Sequence, residues 1–165
     1  MLEIEKTYLV KELPENIEKF PYTDLLDLYI PDTADHPKLR LRKRGEKKEM
    51  TKKTLVSEWD ASCQIEQTIS LSDEEYDHLA KLPAKKVHKF RYEMPYNGYT
   101  LEIDVFKNNL EGLILCDVEF PSEAEKDSFL PPSFCGADMT QETRLAGGML
   151  CGKEYKDIEE NIQKL

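Results

Sequence analysis

The chain has 165 residues, of which 39% are hydrophobic and 34% charged, with a formal net charge of −10. Its length and apolar content suffice for a core, and with no Gly, Ser or Pro tract to act as a linker the expectation is a single domain over residues 1–165. So acidic a chain disfavours nucleic acid or an anionic membrane as a partner, and no segment approaches the roughly 18 apolar residues of a membrane span, so a cytoplasmic location is expected.

In chain order, "LEIEKTYLV" (2–10) alternates with a period of two and reads as a strand. A short helix is expected near Pro14. Four alternating runs follow at 25–30, 38–44, 47–55 and 63–71. "SLSDEEYDHLAKL" then has a helix start, with Ser72 as N-cap and Glu75 three residues on. The runs at 87–95 and 99–106 flank Asn97-Gly98, a strong hairpin turn, and one more strand is expected at 113–121. "PSEAEKDSFL" repeats the capping pattern with Ser122 and Glu125, and "RLAGGMLCG" (144–152) has small residues suited to tight packing or a hinge. The terminal "KEYKDIEENIQKL" reads as a charged helix with Tyr155, Ile158 and Ile162 as its inner stripe. Eight strands and a few short helices make the class α+β.

On a strand, residues two apart share a face. Glu3, Glu5 and Thr7 therefore lie together, as do Arg40, Arg42 and Arg44, then Glu49, Thr51 and Lys53. Lys89 pairs with Arg91, Glu102 with Asp104, and Asp117 with Glu119. One such face is an ordinary solvated face. Across most strands, beside opposite faces as apolar as Leu101, Ile103 and Val105, a closed sheet that lets each sign neutralise the other explains the pattern better.

Several Arg and Lys aimed at one space suit a polyphosphate, whose oxygens guanidinium groups bind in pairs. Clustered Asp and Glu suit a hard cation such as Mg²⁺ or Mn²⁺ bridging carboxylate and phosphate. There is no P-loop and no GxGxxG, so side chains would hold the phosphates. Metal-dependent phosphoryl chemistry is the leading expectation.

The opening "EIEKT" resembles the ExExK signature of the CYTH superfamily, the triphosphate tunnel metalloenzymes that include inorganic triphosphatases, thiamine triphosphatases and class IV adenylyl cyclases. "LRLRKRG", "TKK", "QIEQTI", "KFRY", "LEIDVF", "EGLILCDVEFPSEAE" and "DMTQETR" follow in the family's order over nearly the whole chain. The resemblance implies an eight-stranded antiparallel β-barrel, the triphosphate tunnel, with flanking helices. It implies metal-side carboxylates at Glu3, Glu5, Glu102, Asp104, Asp117 and Glu119, with Mg²⁺ or Mn²⁺ as cofactor. Substrate binding falls to Arg40, Arg42, Lys53, Lys89, Arg91 and Glu66, and catalysis to Glu5, Lys53 and Glu119. The implied partner is a small molecule containing a triphosphate, most simply inorganic triphosphate, with a slow or non-catalytic phosphate-binding module and an adenylyl cyclase as the alternatives. The chain departs from the pattern at Thr7, where the family has a lysine, at Gln64, where a glutamate is common, and at Ser62, where an arginine is usual.

Other residues point to less. Cys63, Cys116, Cys135 and Cys151 form no CxxC pair and read as reduced core thiols. His36 and His78 read as surface residues, Trp59 as local packing or a stacking platform in a loop, and Arg144 as one half of a surface ion pair or, as the alternative, a residue that reaches phosphate.

Overall fold

The computed structural model describes residues 1–164; Leu165, the last residue of the expected terminal helix and domain, lies outside them. The strands are β1 (Leu2–Val10), β2 (Tyr22–Ile30), β3 (Leu39–Arg44), β4 (Lys47–Ser57), β5 (Asp60–Ser70), β6 (Lys85–Tyr96), β7 (Tyr99–Phe106), β8 (Ile114–Glu119) and β9 (Cys135–Asp138). The helices are α1 (Asp73–Leu79), α2 (Glu123–Ser128), α3 (Gly147–Leu150) and α4 (Tyr155–Gln163). All strand pairs are antiparallel, in the order β5-β4-β3-β2-β6-β7-β8-β1-β9, and a second pairing of β1 with β5 closes β1–β8 into an eight-stranded barrel. Closure rests on Leu2 opposite Ile65, Glu3 opposite Gln64 and Ile4 opposite Cys63. Farther along β1, Tyr8 and Val10 pair with Asp138 and Cys135 of β9.

Local signals explain most elements. Asn97 and Gly98, at φ 48° and 83°, make the hairpin between β6 and β7. Ser72 and Glu75 form the reciprocal capping box of α1, and Ser122 caps α2. The helix expected near Pro14 is a single 3-10 turn, Ile17–Lys19, entered through Asn16 in the left-handed region. A three-residue turn with one buried side chain, Ile17, has too little apolar surface to extend further.

Apolar residues pack outside the barrel and across one end. Ile4, Leu101, Ile103, Cys116 and Val118 face outward and are covered by Phe120 and Phe129. Leu28 and Leu41 pack under Tyr76 of α1. At the end of the barrel where β1 finishes, Leu9, Tyr29, Val87, Phe106 and Leu115 meet Met139, Leu145, Leu150 and Ile158 from the C-terminal segment. Each such buried side chain contributes about 1.5–3 kcal/mol, which offsets the cost of a charged interior. The end cap docks closely: a Cβ on Gly147 would lie 1.9 Å from the Tyr29 hydroxyl, so only glycine fits there. Tyr155, Ile158 and Ile162 of α4 face this cluster as the periodicity predicts. Among the described residues no helix is long and apolar enough to cross a membrane.

Candidate active site

Register decides the interior. Asp27 lies opposite Arg42, Tyr29 opposite Arg40, Arg42 opposite Glu49 and Lys53 opposite Glu66. On the other side Arg91 lies opposite Asp104, Glu102 opposite Asp117, and Asp117 and Glu119 opposite Thr7 and Glu5. These inward faces line one cavity of about 460 Å³, within the usual range for small-molecule sites. Every site residue expected from the sequence lines it: Glu3, Glu5, Arg40, Arg42, Lys53, Glu66, Lys89, Arg91, Glu102, Asp104, Asp117 and Glu119. Thr7 does too, whereas Lys6 points outward and pairs with Asp138 at 3.8 Å.

The basic wall is organised by buried carboxylates. Arg42 donates through Nε and Nη2 to the two oxygens of Asp27, each at 2.7 Å, and both residues are buried. Burial alone would raise the Asp27 pKa, but the Arg42 guanidinium holds it well below the usual carboxylate range. Arg91 donates to both oxygens of Asp104, at 2.7 Å each, and also pairs with Glu102, while Lys89 donates to Asp104. The Lys89 pKa is lowered, first by burial and then by the neighbouring Arg91 and Arg42. Arg40 and Arg44 are different: the Nε of each is buried without a hydrogen-bond partner among the described residues.

Across the cavity the acids crowd. Glu5 is pushed up to about 7 by burial and by Asp117, Glu3 and Glu119, with Lys53 pulling the other way. Glu119 also reaches about 7, through burial and the charges of Glu3 and Glu102. Asp117 is raised by burial and by Asp104, and it accepts a 2.7 Å hydrogen bond from the Thr7 hydroxyl. Gln64, at the position where a glutamate is common, instead donates to Glu5 at 3.1 Å.

Some residues lay beyond the sequence reading. Asp27, which anchors the basic wall, breaks the apolar run "LLDLYI" on the face it shares with Leu25 and Tyr29; that one anomaly was its only signal. Met139, Thr140, Glu142, Thr143 and residues 145–148 line the cavity although they belong to no predicted strand, as does His36, which is half-buried. Arg144 is a surface partner of Glu142, as expected. Trp59 is 90% exposed, so it makes no local packing.

The chain is 33% identical over 147 residues to an inorganic triphosphatase of Nitrosomonas europaea, covering 87% of this chain and 93% of that protein. It belongs to the CYTH superfamily of triphosphate tunnel proteins. The crystal structure of an inorganic triphosphatase superposes on this CYTH barrel with a TM-score of 0.65 at 30% identity, over 90% of this chain and 93% of that one. A putative adenylate cyclase from Bacillus halodurans shares the fold, with a TM-score of 0.55 at 18% identity over 79% and 93% of the two chains. No family model matches the sequence.

The donor set of this CYTH tunnel fits a hard divalent ion. It is all carboxylate oxygen, and burial together with neighbouring acids raises Glu5 and Glu119 to about 7. Among the described residues no three His, Cys, Asp or Glu side chains gather closely enough to hold a metal by themselves. Such a shell needs oxygens from water and substrate, which is how Mg²⁺ binds in phosphate sites.

Proposed function

We propose that the protein hydrolyses inorganic triphosphate within the barrel in a reaction that depends on Mg²⁺ or Mn²⁺. The observation that carries this is the division of the cavity: the buried, unpartnered Nε groups of Arg40 and Arg44 stand on one wall, and crowded carboxylates of β1 and β8 on the other. Among the described residues ten carboxylates and seven Lys or Arg side chains line the cavity, so a polyanion entering it requires further positive charge. The inorganic triphosphatase relatives support the choice of substrate.

In this reading Arg40 and Arg44 bind phosphate oxygens, with Arg42 fixed between them by Asp27. Asp104 and Glu102 aim Lys89 and Arg91 at the same chain of phosphates. Glu3, Glu5, Asp117 and Glu119 are the residues that would hold the divalent ion. When bound, it supplies Lewis-acid stabilisation of charge on the phosphate being cleaved. Without the ion, burial and neighbouring acids raise Glu5 and Glu119 to about 7, so binding of a divalent ion there would displace protons from them. The apolar cap of Met139, Leu145 and Leu150 shields one end of the cavity from bulk water.

The test is phosphate release from inorganic triphosphate with Mg²⁺ or Mn²⁺. Chelation should abolish it, and Glu119→Gln should remove turnover without unfolding the barrel. Release that survives exhaustive chelation, or a wild-type rate in Glu119→Gln, would refute the reading.

A further inference from the structure

The outer wall of the barrel carries a second cavity, a groove of about 660 Å³ on the side of β2 and β6 that faces away from the tunnel. Val87 borders both cavities, and the two share no other lining residue. The floor of the groove is apolar, with Leu26, Val87 and Leu110. Its rim is basic: Lys43 of β3, Lys86 of β6, Lys107 just after β7 and Lys153 just before α4. Only Asp24 and Glu46 oppose them among the described lining residues, so the groove is locally cationic on a chain of net charge −10. Asp24 is already engaged. Asn108 Nδ2 donates to His88 Nδ1 at 3.2 Å, which puts the ring proton on Nε2, and that nitrogen donates to Asp24 Oδ1 at 2.7 Å. None of the four lysines forms an ion pair among the described residues. The rim is held by the backbone as well: Lys107 N–H donates to His88 O at 2.9 Å, its ammonium lies 4.6 Å from the centre of the Phe90 ring, and Gly152, at φ 76°, turns the chain immediately before Lys153.

We propose that this groove is a second ligand site, separate from the tunnel, for an organic phosphate: a small molecule that joins an apolar or ring-shaped body to a phosphate group. The proposal goes beyond the tunnel reaction and does not depend on it. The groove has the volume of a small-molecule site and the usual division of labour, an apolar lining with a few convergent polar groups. Lysines on an ordinary solvated face point apart or pair with acids, whereas these four come from separate segments to border one hollow. A concave surface of low dielectric lined by one sign of charge focuses the field and concentrates anions. Lysine ammoniums bind phosphate as point charges, and the Asn109 amide adds a neutral donor on the same side. Inorganic triphosphate would meet the lysines but leave the floor uncovered, so the floor is what selects an organic body. A nucleic acid or an anionic membrane spreads its charge over a broad surface, where the acidic remainder of the chain repels it, so a small ligand fits best.

The probe is pyridoxal 5′-phosphate, which carries a ring and a phosphate and whose aldehyde condenses with a nearby lysine to an imine, releasing water. Borohydride then reduces the imine to a secondary amine, which peptide mass spectrometry locates on the full chain. Lys86, Lys107 or Lys153 should be labelled about tenfold or more above the exposed Lys11, Lys19, Lys52 and Lys81, the scale on which a focused field enriches an anion. Pyridoxal, which lacks the phosphate, should label all of these lysines alike. 4′-Deoxypyridoxine 5′-phosphate, which keeps ring and phosphate but has no aldehyde, should protect the groove lysines, and inorganic phosphate at the same concentration should protect them far less. Lys86→Gln combined with Lys107→Gln should bring Lys153 down to the level of the exposed controls while melting temperature and triphosphate turnover stay at wild-type values. Groove labelling no higher than the controls, labelling confined to Lys53 and Lys89 of the tunnel, the same selectivity with pyridoxal, or equal protection by inorganic phosphate would overturn the proposal. A wild-type chain that shows the selectivity yet cleaves no triphosphate would leave the groove site standing and refute only the reading of the tunnel.

Discussion

Asp27→Asn removes one charge from the centre of the basic wall with almost no change in volume. Asp27 and Arg42 have side-chain exposures of 1% and 3%, and two 2.7 Å hydrogen bonds join them. Water therefore does little to screen the pair, and losing one partner leaves a guanidinium desolvated without its counter-charge. Breaking a buried pair in this way costs about 3–5 kcal/mol. The lower end is expected here, because Asn keeps one acceptor for Arg42. A loss of about 3 kcal/mol lowers the melting temperature by roughly 6–12 °C in a chain of this size. Urea unfolding in metal-free buffer measures the difference, and the double variant Asp27→Leu with Arg42→Met should recover most of it, since an apolar pair leaves no orphaned charge. The pH dependence follows from the sign of the shift. Asp27 is depressed by Arg42, so the folded state binds fewer protons than the unfolded chain, and the stabilisation is complete above the unfolded value of about 4. The advantage of wild type over Asp27→Asn should therefore shrink as pH falls from about 4 toward 2. A single variant within about 0.5 kcal/mol of wild type at pH 7, far below the cost of a broken buried pair, would show that this pair is not the anchor described here.

Arg40→Ala and Arg44→Ala, each in a Glu119→Gln background, should weaken triphosphate binding by about 1.5–3 kcal/mol in calorimetry, the scale of a lost charge-assisted hydrogen bond. The exposed Lys43→Ala should change nothing, and equal effects at all three positions would mean that only net charge matters. Thr7→Lys places a cation beside Asp117 and should lower KM for triphosphate, whereas Lys6→Thr on the outer face should leave KM and kcat alone; the reverse outcome would mean that β1 faces the other way. Glu5 and Glu119 titrate near 7 in the folded protein but near 4.5 when unfolded, so the metal-free protein binds excess protons between those values and should lose stability as pH rises through that window. Thermal melts at pH 5 and pH 8, with and without Mn²⁺, check this: a metal-free protein more stable at pH 8 than at pH 5 would contradict it.

Alternation alone carried much of this structure. A period of two assigns each residue of a strand to one of two faces, so Glu3 with Glu5, Arg40 with Arg42 and Asp117 with Glu119 were together before any fold was known. Asn97-Gly98 and the capping residues Ser72 and Ser122 act within a few positions, so they too were legible. What alternation cannot supply is register between strands distant in sequence, and register chooses the partners. It gives Asp27 to Arg42 and Asp104 to Arg91, leaves Arg40 and Arg44 with unpartnered donors, and carries Lys53 across the barrel to Glu3. The short β9, with only "CGAD", has no periodic signal and exists because β1 offers a free edge beyond its pairing with β5. The cap over residues 139–150 docks through close contacts such as Gly147 on Tyr29, a matter of shape between segments more than a hundred residues apart. Local chemistry thus determined the kinds of group facing inward. Only the closed barrel decided which charges neutralise one another and which remain for a ligand, because in a low-dielectric interior that depends on distances of a few ångströms.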